Sequence, residues 1–183
     1  MHLHRTTVDA HGPNGSRPVP PAPIEGAGRL PAAVTKARVV FTDGGGRILL
    51  VRLQPGLNEL HWGLPGGTVE AGSETPRQAA VREIGEEIGL ACSPGRLLGV
   101  DWVNRADDRP RVVYVFEGGP LSEGDLAGIQ LQETELAEWR MCTPEEAARL
   151  LTPASWGQLR ESLAALATGT GPAELVDGTP VGP

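Results

Sequence analysis

The stretch Leu64-Pro65-Gly66-Gly67-Thr68-Val69-Glu70-Ala71-Gly72-Ser73-Glu74 runs directly into residues 75–90 and reads as a loop feeding a helix. Both helix ends are marked. Thr75 suits the N-cap, Pro76 the first helical position, and Gln78 completes a capping box three residues after the cap. Gly89 stands where a C-cap glycine ends a helix. Turned at about 100° per residue, Ala80, Val81, Ile84 and Ile88 form an apolar stripe that must face a sheet.

Glu83, Glu86 and Glu87 share a neighbouring face, about 120° round from that stripe. Like charges at spacings of three and four repel one another on a bare helix. A divalent cation would remove the repulsion, and oxygen-only ligands suit hard ions, magnesium or manganese ahead of zinc or copper. A solvated acidic face is the alternative reading of the same three residues. Gly66-Gly67 permits close backbone approach or positive φ, which brings a Gly66 carbonyl within reach of an ion held on the helix. Arg82, beside Glu83, has a salt-bridge partner available in Glu74.

Working outward, residues 36–42 and 47–53 are β-branched and aliphatic runs joined by Asp43-Gly44-Gly45-Gly46, a hairpin signal. Residues 97–103 and 111–117 are strand candidates around a polar turn, and 137–142 is a weaker one. Helical patterning returns at 144–151 and 155–167. Helices interspersed among strands predict an α/β fold, a mixed β-sheet packed between helices. The folded body is set at residues 34–167. Residues 1–33 hold six prolines and four glycines and read as a disordered lead-in, because they bury too little apolar surface to offset their ordering entropy. Residues 168–183, rich in Gly, Thr and Pro, read as a flexible tail.

The 183 residues amount to about one domain, 39% apolar and 21% charged, enough to bury a core. No run approaches the roughly 18 apolar residues that a membrane span needs, so a membrane protein is excluded. The first ten residues lack an apolar segment of the secretory kind, and a cytoplasmic location is expected. Net charge is −7, and the acidity belongs to the body, with 13 basic and 19 acidic residues. No basic run supplies a footprint for duplex nucleic acid. An acidic protein still handles phosphates where cations bridge like charges. Cys92 and Cys142 show no ligand-like spacing and read as buried free thiols in a reducing compartment.

Glu74, seven intervening residues and Arg82-Glu83-Ile84-Gly85-Glu86-Glu87-Ile88-Gly89-Leu90 resemble the signature of the Nudix (MutT-like) hydrolases, G-x5-E-x7-R-E-U-x-E-E-x-G-U, with U a bulky aliphatic residue. Six residues rather than five separate Gly67 from Glu74, and the extra one falls in the loop around Ser73. The resemblance implies a Nudix-type α/β/α sandwich. It also implies a Mg2+-dependent hydrolase, with Mn2+ as a substitute, that cleaves a nucleoside diphosphate linked to another moiety through metal-activated water attacking phosphorus. By that resemblance Glu83, Glu86, Glu87 and the Gly66 carbonyl hold metal, and Glu83 or a neighbouring loop carboxylate is the general base. Glu133, slightly ahead of Glu135, is the downstream acid. Gly67, Glu74, Arg82 and Gly89 frame the box.

Trp62 is placed either to stack on a base or to pack in the core, and Trp102, Trp139 and Trp156 are assigned to the core or a partner interface. Arg52, and Arg105, Arg109 and Arg111 around a turn, are phosphate-holding candidates, although each taken singly reads first as a surface charge. The proline that ADP-ribose-type members show after the box is Arg105 here. The tyrosine of diadenosine-polyphosphate members would fall among Ala106, Asp107 and Asp108. That tilts the substrate towards a nucleoside triphosphate, oxidised ones included, or a nucleotide-sugar. Partners are then a nucleotide-type small molecule, with no duplex nucleic acid and no membrane. A homodimer is open, since many relatives are dimers. Fold alone does not fix chemistry, so a non-catalytic Nudix-like nucleotide-sensing module and an isomerase stay open as rivals.

Overall fold

A computed structural model describes residues 32–56, 61–91, 93–106 and 109–182. The Pro/Gly-rich lead-in up to residue 31 and Cys92 lie outside the described residues. Strand β1 (Val34–Thr42) runs parallel to β5 (Arg111–Pro120), and β4 (Leu97–Val103) pairs antiparallel with β5. β2 (Ile48–Leu53) pairs antiparallel with β6 (Leu136–Cys142).

The expected β1–β2 hairpin forms only at its turn. Asp43 Oδ1 accepts the backbone N–H groups of Gly45 and Arg47 at 2.9 Å each, but the strands pair only at Thr42 and Ile48 before they part. The gap is filled by the Gly-rich loop and the residues that lead into it. β3 (Trp62–Gly63) pairs with β2 opposite Arg52 and Val51. The Pro65 and Gly67 carbonyls then accept the N–H groups of Val39 and Ala37 at 3.0 and 2.9 Å, and Val69 N–H donates to the Thr35 carbonyl at 3.0 Å. The box loop is therefore bolted to the free edge of β1, which fixes its position over the sheet.

Strand alternation gives the sheet two apolar faces. Ala37, Val39, Phe41 and Leu49 face helix α1 (Pro76–Ile88) through Ala80, Ile84 and Ile88. Val40, Ile48, Leu50 and Val115 face α3 (Pro144–Leu150) and α4 (Pro153–Thr168) through Ala147 and Leu159. This is the expected mixed sheet between helices. A short α2 (Glu123–Ala127), with no buried residue, was not legible beforehand. Among the described residues no helix is long and apolar enough to cross a membrane.

The C-terminal segment corrects the reading of a flexible tail. β7 (Ala173–Val176) extends the sheet parallel to β4, and β8 (Thr179–Pro180) folds back on it. Asp177 and Gly178 take φ of 51° and 74°, the two-residue turn that an Asp-Gly pair favours. Two things hold the hairpin. Leu175 is buried, and fully buried Asp101 on β4 accepts the Gly178 N–H at 3.0 Å together with Gln158 Nε2 of α4 at 2.6 Å.

Candidate active site

Helix α1 starts and stops where its sequence says. Thr75 Oγ1 accepts the Gln78 N–H at 3.3 Å, Gln78 Oε1 accepts the Thr75 N–H at 2.9 Å, and Gly89 closes the helix at φ 71°. The buried face differs from the expected stripe. Ala79, Ala80, Ile84, Ile88 and Glu87 are buried, while Val81 is 44% exposed. The helix is rolled towards its carboxylates because the glycine loop packs on that side.

Gly66 is required there, and Gly67 leaves room for the Glu83 carboxylate. Gly66, at φ 122°, donates its N–H to Glu87 Oε2 at 2.6 Å, and a Cβ on it would stand 2.3 Å from the Ala37 carbonyl. A Cβ on Gly67 would lie 2.2 Å from Glu83 Oε1. Glu87 is only 4% exposed, and burial pushes its carboxyl up to about 7. The Arg38 guanidinium and the Gly66 amide pull the other way, while the charges of Glu83 and Glu135 add to the rise.

Arg82 ties the helix to the loop. Its Nη2 and Nε fork onto Glu74 at 2.7 and 3.1 Å, and Nη2 also donates to the Thr68 carbonyl at 3.1 Å. The fork holds the guanidinium charged and pulls the Glu74 carboxyl below its ordinary range. The extra loop residue does not disturb this contact: Gly72 turns at φ 87°, and Ser73 Oγ donates to the Glu70 carbonyl at 3.0 Å. Arg82 Nη1 also takes Glu83 at 3.1 Å and Glu86 at 2.9 Å.

The donor chemistry here is carboxylate oxygen, which suits a hard divalent ion. Among the described residues no three His, Cys, Asp or Glu side chains converge on one point as they stand. Arg82 draws Glu83 and Glu86 to itself, and the Gly66 amide draws Glu87. Glu86 is half-exposed and turns without disturbing the core, and the missing side chain of Gly67 leaves space at Glu83. The residues fit a cation on these grounds. Gly66, expected to serve through its carbonyl, meets Glu87 through its N–H.

A cavity of about 480 Å³ opens between the sheet and the start of α4, with Glu87 in its wall. Lys36, Arg38, Arg105 and Arg111 line it, so two of the three turn arginines reach it. Arg52 does not. It pairs with Glu138 at 3.1 Å, since β6 lies beside β2 and presents that acid to it. Trp62 touches the cavity but belongs to the buried core, with the Arg140 and Arg52 guanidinium groups 5.0 and 6.0 Å from its ring centre. Trp102, expected in the core or an interface, is 43% exposed near the sheet edge.

Glu133 stays on an exposed turn, where its carbonyl accepts Gln54 Nε2 at 2.8 Å. It is Glu135, the other downstream candidate, whose charge reaches Glu87. Lys36 and Arg38 were missed as site residues. Their signal was available: two cations alternate on a strand whose other face is Ala37, Val39 and Phe41.

Residues 33–166 match the family model described as NUDIX domain. A protein of Rhodococcus erythropolis, described as the uncharacterized Nudix hydrolase orf19, is 32% identical over 138 residues, 70% of this chain and 72% of that one. An ADP-ribose pyrophosphatase of Methanocaldococcus jannaschii is 40% identical over 88 residues, 44% of this chain and 50% of that one. The crystal structure of a MutT protein from Methanosarcina mazei Go1 shares the fold at a TM-score of 0.60 and 22% identity, covering 75% of this chain and 94% of that one. With a glutamate-bearing helix clamped to a glycine loop and the family model matching residues 33–166, the chain belongs to the Nudix hydrolase family.

Proposed function

We propose that this chain hydrolyses the diphosphate linkage of a nucleoside diphosphate derivative with Mg2+ as cofactor, its α1 glutamates presenting the cation. The observation that carries the reading is the placement of Glu87, buried against the Gly66 amide and open to a cationic cavity. A bound divalent cation supplies neutralisation of the diphosphate and lowers the pKa of water beside it. Glu83, Glu86 and Glu87 hold that charge in place, and Glu83 or Glu135 accepts the proton of the attacking water. Arg82 fixes Glu83 against the loop, so the proton acceptor keeps its position.

A nucleoside triphosphate, oxidised forms included, or a nucleotide-sugar is the substrate favoured by the sequence around Arg105. The similarity to an ADP-ribose pyrophosphatase covers half of that protein and supports the diphosphate class only. The buried free thiol of Cys142 supports a reducing, cytoplasmic setting.

The test is release of phosphate or pyrophosphate from a nucleotide panel with Mg2+, with and without chelator. Chelator-sensitive hydrolysis is expected, and Glu87→Gln should lower kcat by about 10²–10⁴-fold while the protein stays folded. A fully active Glu87→Gln enzyme would overturn the assignment of the cation to this face. Absence of chelator-sensitive turnover on every nucleotide would leave a sensing module as the reading.

A further inference from the structure

The C-terminal hairpin lies beyond residues 33–166 of the family match, yet it is built against the wall of the cavity. Its Asp177-Gly178 turn rests on the first turns of α4. A Cβ on Gly178 would stand 2.3 Å from the Ala154 carbonyl oxygen, and one on Gly157 would stand 2.0 Å from that of Gly178, so the two backbones meet with no side chain between them. Ala154 and Gln158, on the same stretch of α4, line the cavity. The turn therefore backs the wall that a ligand would meet.

Asp101 joins the turn to that wall. It is fully buried on β4, and among the described residues its polar partners are Gln158 Nε2 at 2.6 Å and the Gly178 N–H, 3.0 Å from one carboxylate oxygen and 3.2 Å from the other. No basic side chain among the described residues pairs with it. A carboxylate accepts hydrogen bonds and donates none, so Gln158 must turn its amide nitrogen to Asp101 and its oxygen away. No described group donates to that oxygen. Among the described residues no sealed side-chain nitrogen or oxygen lacks a partner, so Oε1 is open, and Gln158, only 8% exposed, lines the cavity. The amide is an acceptor held in one orientation and left for a ligand.

Its neighbours are apolar. Val113 stands opposite Asp101 in the β4–β5 ladder, Val103 follows two residues on, and both line the cavity with Ala154. Apolar walls with one fixed acceptor suit a flat heteroaromatic ring bearing an amino group better than a sugar ringed with hydroxyls. We propose that Gln158 selects the base of the substrate by accepting a hydrogen bond from its exocyclic amine, and that Asp101 and the C-terminal turn are positioning groups that hold the amide for it. A carbonyl in the same place would set two acceptors face to face and be rejected. That the base belongs to a substrate rests on the hydrolytic reading of α1; the preference for an amine does not.

Isothermal titration of the full chain with nucleoside monophosphates, which hold no diphosphate to cleave, tests it. IMP lacks the amine of AMP and of GMP, and UMP lacks that of CMP. In the wild type at least one amino-bearing member should bind at least about tenfold more tightly than its counterpart. Gln158→Met, unbranched and without an acceptor, should abolish the difference by weakening the amino-bearing member alone. Asp101→Val should abolish it too, whereas Asp101→Asn, whose oxygen still accepts the Gln158 amide, should keep it. If Gln158→Met does not fold, Gln158→Asn, which withdraws the oxygen by one methylene, takes its place with the same expectation.

No binding of any monophosphate, no difference within any pair, or a Gln158→Met protein that keeps the difference would overturn the proposal. So would equal weakening of both members of a pair, which marks structural damage rather than lost selection. A preference that follows the ribose instead, lost when the 2′-hydroxyl is removed and untouched by the amine, would overturn the assignment to the base. An amine preference in a protein that hydrolyses no nucleotide would sink the hydrolytic reading and leave the selection by Gln158 standing. Chelator-sensitive hydrolysis with no such preference would do the reverse.

Discussion

Two helical glycines, each changed to alanine, should move stability in opposite directions. In an exposed helix, Gly→Ala gains about 1 kcal/mol from propensity. Gly85 on α1 is exposed, and a Cβ there meets nothing within 4 Å, so Gly85→Ala should be more stable than the wild type by about that amount. Gly157 on α4 is buried, and its Cβ would lie 2.0 Å from the Gly178 carbonyl oxygen. Ordinary contact begins at 3.4 Å, so the C-terminal hairpin must retreat by more than an ångström. That movement breaks the Gly178 N–H bond to Asp101, now 3.0 Å, and a buried acceptor that loses a partner costs about 1–3 kcal/mol. Overpacking adds about 1–3 kcal/mol. Against the propensity gain of about 1 kcal/mol, Gly157→Ala should lose about 1–5 kcal/mol net. Urea unfolding followed by circular dichroism reads both, and at about 1–3 kcal/mol per M a loss of that size lowers the midpoint by about 0.3 M or more. A Gly157→Ala protein as stable as the wild type would refute the packing of the hairpin on α4.

Three further outcomes are expected. Arg82→Lys keeps the charge and loses the planar fork onto Glu74, so its urea midpoint should fall, and an unchanged midpoint would deny the clamp a structural role. The Cys142 thiol is pushed up by burial, so site-resolved labelling by a thiol reagent at pH 8 should be slow in the folded protein and fast in urea; equal rates would contradict its burial. The Asn104 side-chain amide and backbone N–H hold the Asp177 carboxyl below its usual range. Its contribution is therefore present at pH 7 and lost as pH falls through that lowered value, below the unfolded value of about 3.9. The gap in urea midpoint between the wild type and Asp177→Asn should narrow from pH 7 to pH 3, and a gap that widened would reverse the sign.

The readable parts of this chain are those where local chemistry and tertiary packing agree. The capping residues Thr75, Gln78 and Gly89 each act within one helical turn, so sequence spacing alone places α1. The Asp43 turn was legible for the same reason, but the extent of the hairpin was not. Which strand lies beside β1 is decided by long-range burial of Val39 and Val40 against β5, and that pairing leaves no trace in neighbouring residues. The C-terminal hairpin carried a readable mark, Asp177-Gly178 between Leu175-Val176 and Thr179, which the surrounding Gly, Thr and Pro content outweighed.

The roll of α1 shows why the site itself was only half legible. Helical periodicity places Glu87 at the margin of the apolar stripe, about 20° from Ala80, and so leaves its burial undecided. A carboxylate at that margin stays in water unless something compensates its desolvation. The compensation comes from outside the helix, in the Gly66 amide at 2.6 Å and the charge of Arg38. Both are in place because β1 and β2 part and admit the glycine loop between them. The opening in the sheet that the hairpin signal fails to predict is therefore the same feature that lets a glutamate from one face meet a cationic cavity on the other. Closing it, by a β1–β2 ladder continued beyond Thr42 and Ile48, would leave the box intact as sequence and separated from the cationic cavity.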